Sequence, residues 1–151
     1  MALLLGENDG DIKAVPALAV FRPLRSVMAG NVGVQSSAIV VQALASDKKE
    51  QNIIAKLWKE LSVGLVNGLI LASTMYGAGL LLGYDQLVTL TVAVSLLTVI
   101  VFASLFGTFI PLLLNRFNID AALATGPFIT TANDVIGLII YFQIGRYIIG
   151  Y

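Results

Sequence analysis

Three runs with no charged residue cross this chain: Ser26–Ser46 (21 residues), Leu61–Tyr84 (24 residues) and Gln86–Asn115 (30 residues). A fourth run, Ala121–Gly145, contains one charge, Asp134. A hydrocarbon core about 30 Å thick takes roughly 20 helical residues to cross. Lipid offers no partner to a backbone N–H or C=O, so a segment of this kind must satisfy its own hydrogen bonds as a helix. The pattern predicts an all-α integral membrane protein held in membrane lipid. Its bundle has four spanning helices, at about 16–45, 60–82, 86–114 and 121–149.

Composition supports this and narrows the chemistry. The chain of 151 residues is 58% hydrophobic and 12% charged, whereas a soluble domain is nearer half apolar and a quarter charged. The formal net charge is zero, which gives no long-range attraction to nucleic acid. There is no Cys and no His. Disulfides, thiol chemistry and the usual ligands of zinc, copper and haem are thereby excluded. Any metal must be held by oxygen. Neither a nucleophile–base triad nor a Walker-type phosphate loop is present, so the chain does not read as an enzyme or an ATPase.

Residues 1–13 read as a polar segment outside the bilayer, turn-like over 6–13, and 14–151 as the membrane domain. The start lacks the basic leader and long apolar run of a signal peptide. In the first helix, Pro23 and Gly30–Gly33 predict irregularity. Asn31, Gln35, Ala38 and Gln42 share one face. That amide row suits either close helix–helix contact or a hydrated pore wall, and spacing does not separate the two. Residues 48–59 place Ile53, Ile54 and Leu57 at helical spacing among lysines, with Trp58 suited to a membrane interface. They predict a short amphipathic interfacial helix. Gly64-xxx-Gly68 and Gly79-xxx-Gly83 are spacings that let helices approach. The third span is long enough to require tilt or a bend, which Gly107 or Pro111 could supply. Thr91, Ser95 and Thr98 fall on one face of it, as packing groups or as pathway oxygens.

Orientation follows from the basic residues. The loop 46–60 carries four lysines and the loop 115–120 carries Arg116, so both are assigned to the cytoplasm and both termini to the outside. A chain that starts outside without a leader points to a first helix supplied from elsewhere.

Asp134 is the residue that asks for a function. An Asp at a helix centre costs roughly 2.5–3.5 kcal/mol on insertion scales, and such groups usually face a bundle interior or a water-filled path. It is either a protonated packing group bonded to a neighbouring helix or part of a functional site. On a helix, Thr130 lies one turn before it and Pro127 two turns before, while Gly137 and Tyr141 follow on the same face. That face holds no Lys or Arg. Pro127 cannot donate to the helix ladder and disturbs the carbonyl one turn upstream. Carboxylate, hydroxyl and spare carbonyl oxygens are the ligands a hard divalent cation seeks.

Three blocks together resemble the membrane domain of the MgtE-type magnesium channel and transporter family. They are PALAVFRPLRSVMAGNVGVQSS (16–37), KLWKELSVGLVNGL (56–69) and GTFIPLLLNRFNIDAALATGPFITTANDVIGLIIYF (107–142). The resemblance implies a homodimer with an axial pore lined by the helices 16–45 and 121–149. It implies that Asp134 holds hydrated Mg²⁺, that the Thr130 carbonyl contacts the ion's water shell, and that Asp120 sits at the cytoplasmic mouth. Asn31 falls on the family's motif asparagine, and Gln35, Pro127 and Gly137 are expected to line the pore. The family's first helix and cytoplasmic gating domains are absent from this sequence and would be partners. Asp120–Ala121 replaces the usual aspartate–proline pair, Gln42 stands where arginine is common, and Arg22 and Arg25 stand where apolar residues are usual.

The expected function is passive, voltage-driven Mg²⁺ entry through the cell (inner) membrane, with Mn²⁺ or Co²⁺ as other possible ions. The alternatives are a Na⁺- or H⁺-coupled divalent cation carrier and a non-conducting membrane scaffold subunit.

Overall fold

The computed structural model describes residues 9–46, 52–124 and 126–150. Four helices make up the bundle: α1 Asp9–Ala45, α2 Ile53–Leu81, α3 Gln86–Arg116 and α4 Pro127–Ile149. A 3₁₀ turn, Ala121–Ala124, precedes α4. All four are long and apolar enough to cross a membrane, and the chain is an integral membrane protein.

Helix α3 is the centre of the bundle and the others pack around it. Three glycines of α2 face it. A Cβ at Gly64 would lie 3.0 Å from Ser104 Cβ, at Gly68 it would press on Leu97, and at Gly79 on Thr89. With Ala72 and Met75, these residues form the buried stripe of α2, and small side chains let two helices approach closely. The pairing of 64 with 104 and 79 with 89 runs α2 antiparallel to α3. Gly33 of α1 packs on Gly107, and Leu18 joins Val88 and Val92 in one core cluster, so α1 runs parallel to α3. Thr130 meets Gly30 while Tyr141 reaches Leu18, so α4 runs antiparallel to α1. The order is up–down–up–down.

Helix ends follow their local chemistry. Asn52 caps α2, its Oδ1 accepting from Ile54 N at 3.1 Å, and Asp85 caps α3, accepting from Leu87 N at 2.8 Å. Each side chain satisfies backbone donors that the first turn leaves open. Between α2 and α3, Gly83 takes φ +81° while Tyr84 N donates to Gly79 O and Gly83 N to Leu80 O, both at 3.0 Å. This is the glycine-terminated Schellman pattern. The same pattern ends α3, where Asn118 takes φ 55° and Ile119 N donates to Leu114 O at 2.9 Å.

Several expectations are revised. Pro23 and Gly30–Gly33, the predicted sites of irregularity, do not end the helix: α1 runs on through them from Asp9 to Ala45. Of the predicted loop 6–13, residues 6–8 lie outside the described residues, and 9–13 are already in α1. Of the predicted interfacial helix 48–59, residues 48–51 lie outside the described residues, and Ile53–Lys59 are the first turns of α2. No Pro or Gly stands between Ile53 and Val63 to break it. Glu60 is drawn into the bundle instead of lying at the surface: its Oε2 accepts from Ser36 Oγ and Ser104 Oγ, each at 3.0 Å. The predicted helix 121–149 is two elements. Gly126 takes φ 55°, ψ −117°, a conformation closed to residues with a Cβ. The proline that follows also disfavours helix at position 126.

Candidate functional site

The seam between α1 and α4 assembles the polar groups that sequence reasoning left on separate helices. Ser26 Oγ of α1 donates to Asp134 Oδ1 of α4, across 108 residues of chain. One turn earlier, Thr130 Oγ1 and Thr130 N both donate to Gly126 O, at 3.1 and 3.0 Å. Pro127 stands at the first position of α4. There a missing N–H removes no helix bond, so the carbonyl disturbance expected from a proline inside the helix does not arise. Any spare backbone oxygen comes from the break around Gly126.

Asp134 lies on the rim of the seam. Gly137 and Tyr141 on one side of it are buried, while Thr131 and Val135 on the other are exposed. On α1, Asn31 and Gln35 are exposed, and Gly30 and Gly33 are buried. The ambiguity of the amide row is thereby narrowed: glycines make the contact with α4, and the amides face away from this bundle. Uncompensated amides and a carboxylate at membrane depth are unfavourable against lipid. This face is therefore suited to water or to another polypeptide. Asp120 stands apart from these residues in the loop, where its Oδ1 accepts from Ala122 N at 2.9 Å and caps the 3₁₀ turn. Among the described residues no three carboxylates converge, so the α1–α4 seam offers the Asp134 carboxylate and no closed cage.

The absence of a basic residue on the Asp134 face holds for α4 but not for the site. Arg25 of α1 is only 3% exposed. It stacks over Tyr141, with Cζ 5.6 Å from the ring centroid. Its neighbour in sequence, Ser26, is the residue bonded to Asp134. Gly137 makes room for the guanidinium, since a Cβ there would collide with Arg25 Nη1 and come within 2.9 Å of Val99. Tyr141 OH donates to Leu18 O at 2.8 Å and fixes the ring. Face-by-face reading of one helix could not find Arg25 or Ser26, because their role depends on where α1 crosses α4. Arg25 did carry a signal, as a charge inside an apolar helix.

Thr91 and Ser95 are buried in α3, and Thr98 is exposed with its Oγ1 donating to Val94 O at 2.9 Å. Both side-chain polar atoms of Asn133 and the hydroxyl of Thr108 are buried without a hydrogen-bond partner among the described residues.

The geometry is that of a small oxygen site on an open face of a four-helix membrane unit. Residues 23–144 match the MgtE family of divalent cation transporters. The chain belongs to that family. Similar proteins include magnesium transporters MgtE of Bacillus subtilis, 34% identical over 134 residues, and of Thermus thermophilus, 36% identical over 136 residues. That of Enterococcus faecalis is 32% identical over 151 residues. The alignments cover 88%, 89% and 99% of this chain but 30%, 30% and 33% of those relatives. The chain thus spans about a third of their length. Within the MgtE family match lie Asn31, Gln35, Asp120, Thr130 and Asp134, together with Arg25 and Ser26.

Proposed function

We propose that this chain forms the membrane pore of a Mg²⁺ transporter, in which two copies set their α1–α4 seams face to face across an axis. Asp134 of each copy then binds a hydrated ion. The observation carrying this reading is the placement of Asp134 at the rim of the exposed face, with one oxygen held by Ser26. Mg²⁺ dehydrates reluctantly and is usually held through one or two carboxylates while it keeps several waters. Two carboxylates opposite each other meet that need without a cage. The exposed Asn31 and Gln35 supply hydrogen-bonding groups to the ion's water along the path, and Thr130 and Pro127 lie towards the Gly126 break.

Conduction requires a site that releases as well as binds. A negative cell interior gives a divalent ion about 4.6 kcal/mol per 100 mV, twice the value for a single charge. Passive flow through the inner membrane is sufficient on this basis. The segments 46–60 and 115–120, which include the first turns of α2 and the end of α3, face the cytoplasm in this reading, with Asp120 concentrating cations at the mouth, and the C-terminus is outside. Mg²⁺ is the assigned ion because the relatives, identical to this chain at about a third of aligned positions, are magnesium transporters. Mn²⁺ shares its preference for oxygen ligands, and Co²⁺ is the other divalent ion to be tested.

The test is flux in proteoliposomes containing a Mg²⁺-sensitive dye, with a potassium diffusion potential imposed and no Na⁺ or H⁺ gradient. Uptake should follow the potential and disappear in Asp134→Ala, while the variant keeps the parent's oligomer size and melting temperature. Full uptake by that variant overturns the role of Asp134. Uptake that needs a Na⁺ or H⁺ gradient identifies a coupled carrier. No uptake, together with no Mg²⁺-dependent thermal stabilisation, identifies a scaffold.

A further inference from the structure

The buried guanidinium behind Asp134 is not needed for the function proposed above, and it is expensive to place. Arg25 is 3% exposed, and its Nε and Nη1 have no hydrogen-bond partner among the described residues. Removing a charge from water without hydrogen-bonding it costs several kcal/mol after relaxation. An arginine kept only as an apolar spacer would be replaced by Leu or Met at no such cost. Two features of the structure offset the charge. Its face lies over the Tyr141 ring at 5.6 Å, a cation–π contact that gains strength away from water. The Asp134 carboxylate is also close by on the same two helices: it is bonded to Ser26, the residue next to Arg25, and Nη1 lies against Gly137, one turn after Asp134. The space is built as well: Gly137 lacks the Cβ that would collide with Nη1, and Tyr141 is pinned through its hydroxyl to Leu18 O. Neither Nε nor Nη1 is locked to the carboxylate, and Ser26, the next residue along α1, is the group that touches it.

We propose that Arg25 is a built-in counter-charge that sets the divalent-cation affinity of the Asp134 site, holding it low enough for the ion to leave. The inference rests on the assignment of Asp134 as the ion site. With the guanidinium in place, the negative charge that Asp134 brings to the seam is opposed by a fixed cation on the same chain, so a passing Mg²⁺ meets a weaker field than the carboxylate alone would give. Because the cation is buried and the carboxylate is on the rim, Arg25 does not compete for the space the hydrated ion would occupy. It acts through the field, which is weakly screened in a low-dielectric setting. Arg25 is thus a positioning and affinity-determining residue and not a ligand.

Mg²⁺ binding is measured by thermal stabilisation and by the half-saturating concentration for flux, on the full chain in detergent and in liposomes. Arg25→Gln keeps a polar side chain with donors but removes the charge. It should lower the half-saturating Mg²⁺ concentration about tenfold or more, as expected for losing a like charge near a divalent ion at an effective dielectric constant of about 20. Arg25→Lys should stay close to the parent value. Damaged packing does not raise affinity, so the direction of change separates the electrostatic role from a structural one. Unchanged or weaker Mg²⁺ binding by a folded Arg25→Gln protein overturns the inference. If Arg25→Gln does not fold, the same comparison is made with Arg25→Met, which removes the charge and fills the buried space with an apolar side chain of similar length. Higher affinity then supports the inference, and unchanged or lower affinity overturns it. Asp134→Asn separates the two readings: parent-like Mg²⁺ binding in that variant removes the ion site itself, whereas lost binding in Asp134→Asn with no gain in Arg25→Gln removes only the role of Arg25.

Discussion

The tightest backbone approach that positions the α1–α4 seam is on its far side, where Gly107 of α3 meets Gly33 of α1, and Gly107→Ala tests it. A Cβ at Gly107 would collide with the Gly33 carbonyl oxygen and lie 3.0 Å from Gly33 C and 3.1 Å from Gly33 Cα. Carbon–carbon contacts are comfortable from about 3.5 Å, so the two helices must part by roughly 0.5 Å or more at this point. No side-chain rotation can relieve contacts with backbone. Overpacking of this kind costs about 1–3 kcal/mol, and the upper half of that range applies where backbone must move. For a chain of this size, each kcal/mol lowers the melting temperature by about 2–4 °C. Gly107→Ala should therefore melt about 4–12 °C below the parent, followed by helical circular dichroism in detergent. Gly77→Ala is the matched control. Gly77 lies in α2 with nothing within 4 Å of an added Cβ, and alanine there should stabilise by about 0.5–1 kcal/mol through reduced chain entropy. If Gly107→Ala melts at or above the parent, Gly33 and Gly107 do not set the α1–α3 distance and the packing argument fails.

Further tests address single bonds and the mouth charge. Tyr141→Phe keeps the ring under Arg25 but leaves the Leu18 carbonyl without its hydroxyl donor; a loss of about 1–3 kcal/mol is expected in denaturant or thermal unfolding. Asp85→Ala removes the α3 cap that accepts from Leu87 N at 2.8 Å and should cost about 1 kcal/mol, while Asp85→Asn, which keeps a capping oxygen, should cost less than half as much. Asp120→Asn retains the oxygen that accepts from Ala122 N, so its melting temperature should match the parent. Its Mg²⁺ flux should fall moderately at low ionic strength and converge with the parent at high salt, where a mouth charge is screened; equal flux at low salt would exclude that role.

Much of the architecture was legible in the chain because the bilayer leaves few choices. Uncharged runs of 21 residues or more must become helices, and the breaks at Asn52, Gly83–Asp85 and Phe117–Asp120 carry their own capping and turn chemistry. The glycine spacing in α2 marked a helix contact correctly, though only Gly64, Gly68 and Gly79 serve it; Gly83 serves the turn. Gly126–Pro127 was the local signal most easily misread: an uncharged stretch can be long enough to span and still break where a glycine with positive φ precedes a proline.

What sequence alone determined is the class of molecule and its most costly residue. Composition required helices in lipid, and the lone carboxylate of the last run marked Asp134. Tertiary packing alone decided which groups share that carboxylate's space. Ser26 reaches it, and Arg25 reaches Gly137 one turn along, from more than a hundred residues away because α1 and α4 are antiparallel and meet at glycines. Periodicity reports which residues share one helix face, but it carries no information about which face of another helix lies opposite. That pairing is decided by the fit of small side chains against backbone, at Gly30 against Thr130 and Gly33 against Asn133.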